Sequence, residues 1–140
     1  MALKADTQSH FDLTYRYLQV LAIELRATLH NQGIRDPAAQ QKILETFLFS
    51  VAMSWDAGCL EDRKARKGRW HPTPCFRDST QPEEASVIVV PDGADSFHEM
   101  AVFNAVEDAM AIQDPQRDWH FKYDGIDGVQ LLAARMTDDS

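Results

Sequence analysis

The stretch 38–58, AAQQKILETFLFSVAMSWDAG, limits what this chain can become more than any other. Between residues 43 and 55, apolar side chains fall on nearly every side of a helix instead of along one stripe. Such a helix has to be covered from several directions, by its own domain or by a second chain. Leu44, Leu48, Val51 and Trp55 repeat at spacings of four, three and four and form its main seam. Ile43, Phe47 and Met53 are read on one flank, Phe49 and Ala52 on another. Asp36 suits the N-cap, Pro37 the first helical position, and Gly58 the end.

The residues before it supply a matching surface. Phe11, Tyr15, Leu18, Ala22, Leu25 and Leu29 recur at alternating spacings of four and three, a helix seam of about five turns. Leu13, Tyr17, Val20 and Leu21 widen it. Ser9-His10-Phe11-Asp12 has the form of a capping box, and Gly33 is placed to end the helix in a left-handed conformation. Helices over 9–30 and up to 58, joined by about six residues, predict an antiparallel αα-hairpin.

Character changes at residues 60–84. Glu61 to Arg69 is charged almost throughout, and Gly68, Pro72 and Pro74 interrupt regular structure. The expectation is a long surface loop, with a short extended piece around Cys75 and Phe76. Beyond it, Ser-Val-Ile-Val-Val (86–90) is β-branched and uninterrupted, which predicts a strand buried on both faces. Ser96-Phe97-His98-Glu99 is a second capping box, opening a helix to about Gln113. Met100, Phe103, Val106 and Met110 are expected on its main face, with Val102, Ala105, Ala109 and Ile112 beside them. Alternating aromatics over 119–123 and a strand-like run over 129–136, split by a Gly-containing turn, predict a β-hairpin. The fold class is therefore α+β, one domain over 1–140 in the order ααβαββ, with an N-terminal helical hairpin, a sheet of about three strands and one further helix.

Charge is unevenly spread. Residues 1–75 hold ten Lys and Arg against eight Asp and Glu, net +2; residues 76–140 hold four against fourteen, net −10. An acidic half repels phosphates, so nucleic acid is not an expected partner. No run reaches the ~20 apolar residues that a membrane span needs. The start, MALKADTQSH, lacks the apolar core of a signal peptide, so a cytoplasmic location is expected. In that compartment Cys59 and Cys75 are expected as free thiols.

Three groups could carry chemistry. Arg63, Lys64, Arg66, Lys67 and Arg69, followed by Trp70 and His71, could hold an anion, or pair with the acidic half of the chain. Cys59, His71 and Cys75, with His98, are zinc-ligand residue types, but the spacing lacks two compact knuckles. Asp92, Asp95, His98 and Glu99 lie at a strand–helix junction that could hold a hard cation; the same acids also serve simply to start a helix. No catalytic constellation, metal motif or cofactor fingerprint is complete, and no cofactor is expected. The expected function is that of a non-catalytic interaction protein, a homodimer through apolar helix surface around Phe49, Ala52 and Met53, with a different protein partner as a further option. The alternative is a small-ligand or metal-binding protein, or an enzyme, using the 92–99 junction or the loop of His71 and Cys75.

Overall fold

The computed structural model describes residues 2–56, 60–62, 66–70, 72–78, 80–82, 87–91 and 98–112. In chain order these form β1 (Ala2–Ala5), α1 (Thr7–Asn31), α2 (Pro37–Asp56), β2 (Leu60–Asp62), β3 (Arg66–Trp70), β4 (Phe76–Arg77), β5 (Val87–Val90) and α3 (His98–Ala111). The architecture is α+β and mostly helical, a helical hairpin and one further helix with a three-stranded mixed sheet. The expected strands at 119–123 and 129–136 lie outside the described residues.

Local chemistry accounts for the helix ends. The cap of α1 is Asp6, three residues ahead of the expected Ser9, and its carboxylate accepts from the Ser9 N–H and the Ser9 hydroxyl, each at 3.0 Å. A charged carboxylate is the stronger acceptor, so Ser9 becomes a donor inside the first turn. Gly33 ends the helix as expected, at φ 87°, with its N–H on the His30 carbonyl at 3.0 Å and the Ile34 N–H on Leu29 at 2.9 Å. That pair of bonds is a Schellman motif. Asp36 caps α2, accepting from the Ala39 N–H at 2.9 Å, and Pro37 opens it.

Burial on α1 runs in two rows at four-residue spacing, His10–Thr14–Leu18–Ala22 and Gln19–Ile23–Ala27, instead of one alternating seam. Two rows arise because two helices pack on α1 from different sides. The third helix is the reason. α3 packs against both α1 and α2, and more extensively against each than the hairpin helices pack on one another. Its buried side is the small one, Ala101, Val102, Ala105, Val106 and Ala109, followed by Ile112, whereas Phe103, expected on the main face, is 49% exposed. Small side chains let one helix approach two others at once. With Leu18, Leu44, Leu48 and Trp55, these residues form a single core cluster. Each buried leucine contributes about 1.5–3 kcal/mol to it.

The sheet has the expected three strands, with the anticipated 86–90 stretch in the middle as β5. Its order is β1–β5–β4, with β1 parallel to β5 and β4 antiparallel to it. Register sets Ala2 beside Val87 and Ala5 beside Val90, and the Asp6 N–H continues the ladder to the Val90 carbonyl at 3.3 Å. The stretch 86–90 was expected to be buried on both faces; instead Val87 is exposed and Ile88, Val89 and Val90 are half-buried. A strand is buried on both faces only where a layer covers each, and α1 is the helix that lies against β5 among the described elements.

The loop expected over 60–84 also contains structure. β2 and β3 pair antiparallel, with Gly68 inside β3 and an irregularity between Glu61 and Asp62. Alternation of apolar residues could not reveal this ribbon, because charge marks it instead: Glu61 lies opposite Arg69, and Asp62 opposite Arg66. Opposite charges across an antiparallel pair are favourable. The short extended piece anticipated near Cys75 and Phe76 is β4.

Candidate functional site

Polar chemistry is concentrated between α1 and α3. Asp108 accepts, on one carboxylate oxygen, from the Tyr15 hydroxyl and from Gln19 Nε2, the latter at 2.7 Å. Tyr15 and Gln19 are four residues apart and therefore share a helix face. Burial first, and then the carboxylate beside it, push the Tyr15 hydroxyl up to about 12. At neutral pH the phenol keeps its proton and acts as a donor, so it is neither base nor nucleophile. Seven residues beyond Gln19, Arg26 Nη1 donates to the carbonyls of Ala109 at 2.7 Å and Ile112 at 2.9 Å. A guanidinium there satisfies the open carbonyls of α3's last turn and complements the negative end of its dipole. Burial lowers the Arg26 pKa without removing its charge, and its Nε is buried with no partner among the described residues. This row fastens two helices. Tyr15 falls in the apolar seam expected of α1, while Gln19, Arg26 and Asp108 have no place in it; the four-residue spacing of Tyr15 and Gln19 is the sequence signal for this row.

A second group gathers at the other side of α1. The ring of His10 is buried, with Nε2 2.7 Å from the Pro74 carbonyl and its centroid 5.6 Å from that of Phe76. Because the partner is a carbonyl, Nε2 is the donor. Tyr17 stacks on Trp55 at 6.4 Å and meets Phe76 edge-on at 6.3 Å. The rings tie β4 and the segment before it to the hairpin.

The predicted site residues do not converge in what is described. Asp92, Asp95, His71, Cys59, Arg63 and Lys64 lie outside the described residues. His98 and Glu99 open α3. Cys75 is an exposed free thiol whose Sγ donates to the Thr73 carbonyl at 3.6 Å. Among the described residues, no three His, Cys, Asp or Glu side chains are placed to hold a metal ion. Arg66, Lys67 and Arg69 belong to β3, with Arg66 in register with Asp62 and Arg69 with Glu61. No helix among the described residues is long and apolar enough to cross a membrane.

Apolar surface remains on α2, displaced from its expected position. Ala52 is 0% exposed, within the core that includes α3, and so cannot belong to an interface. It is covered because the small residues of α3 reach that side of α2. Phe49 and Met53 are half-buried, and the Phe49 ring lies 6.1 Å from that of Phe103. Four-residue spacing puts Met53 with Phe49 and not with Ile43 and Phe47. Ile43 and Phe47 are the exposed pair, Phe47 at 56%. Around them the helix hides its polarity: Ser50 Oγ donates to the Thr46 carbonyl at 3.0 Å, and Ser54 Oγ to Val51 at 2.6 Å. No charged residue occurs from Thr46 to Trp55. Compared with protein-family models, curated proteins and solved structures, the chain matches none.

Proposed function

We propose that this protein acts by protein–protein association without catalysing a reaction, and that it is a homodimer held through apolar helix surface. One observation carries the reading. α2 presents Ile43 and Phe47 to solvent, and Phe47 lies in a stretch that has no charge from Thr46 to Trp55. The solvent side of a surface helix is ordinarily charged, and a contiguous apolar side marks a place of contact. The chain carries a formal net charge of −8, so two copies repel overall, and an uncharged contact surface adds no local like-charge contact to that repulsion. A specific pair of this kind buries about 1,200–2,000 Å² in total, so neighbouring apolar groups such as Phe103 and Phe49 are available to extend the contact.

Sedimentation equilibrium tests the reading directly. The expected mass at micromolar concentration is twice the 15.9 kDa of one chain. A single species of one-chain mass, unchanged over a hundredfold dilution range, overturns it.

A further inference from the structure

We draw no further inference here: the strongest candidate, the outer edge of β1 around exposed Leu3 at the rim of the three-stranded sheet, has no partner strand among the described residues, and nothing in the structure shows what covers it.

Discussion

Tyr15 keeps its proton well past the ordinary tyrosine range because burial disfavours the phenolate, and because ionising it would cost its hydrogen bond to Asp108 and set a second negative charge beside it. The unfolded chain has no such obstacle. Below pH 10 the phenol is protonated in both states; above it the unfolded state loses its proton first, so stability falls as pH rises toward about 12. Denaturant melts at rising pH should show this decline, and Tyr15→Phe should flatten it. Phenolate absorbance should show a late-titrating step that Tyr15→Phe removes. At neutral pH Tyr15→Phe also costs about 1.5–3 kcal/mol, the usual range for a hydrogen bond to a charged group. Arg26→Leu acts at the far end of the same row. It strands the carbonyls of Ala109 and Ile112, with an expected loss of about 2 kcal/mol and faster amide exchange in the last turn of α3. Asp6 works on the acid side. The Ser9 backbone N–H, then its hydroxyl, then Lys4 hold the Asp6 carboxyl below its ordinary value. The stability it adds is present above pH 3.8 and is lost as pH falls through the lowered value. Exchange of the Ser9 amide should therefore quicken in strong acid, and Asp6→Asn should remove that acid dependence.

Gly33 is the sharpest single constraint on how α1 passes to α2. Its φ of 87° is one that a side chain resists, although nothing lies within 4 Å of where a Cβ would stand. Gly33→Ala should therefore cost about 1–2 kcal/mol from backbone strain alone, measured by urea denaturation. Gly33, Asp36 and Pro37 could be recognised in the sequence because a helix end needs particular residue chemistry within a few positions. The seam of α2 was recognisable for a related reason: Leu44, Leu48 and Trp55 are large, periodic and buried. Other features depended on neighbours that periodicity does not name. Phe103 looked like a core residue, but the alanines beside it take the buried side because a helix wedged between two others needs small side chains there. The β2–β3 ribbon has no apolar alternation to detect, and its opposite-charge register emerges only once the two strands are set side by side. β1 is four residues of mixed type, Ala-Leu-Lys-Ala, whose partner is β5, far along the chain. At the candidate interface, the apolar surplus of α2 could be seen in advance, but not which flank α3 would cover.

α3 holds the assembly together, since both hairpin helices rest on it. Ala105 is wholly buried, so Ala105→Leu should force the three helices apart at a cost of about 1–3 kcal/mol or more, read as a drop in melting temperature. A substitution of the same size at exposed Asn104 should cost little. The parallel pairing of β1 with β5 has a consequence in time. Ala2 meets Val87, so most of the described chain lies between the two strands, while α1 and α2 are joined by a few residues. Closing so long a loop is entropically slow, and helical contacts between near neighbours form earlier. The strands therefore join after the helices have begun to dock, beyond the rate-limiting step. Val89→Ala should speed unfolding and leave refolding nearly unchanged, whereas Leu48→Ala should slow refolding as well. β1, which precedes both hairpin helices along the chain, is thus among the last of the described elements to find its place.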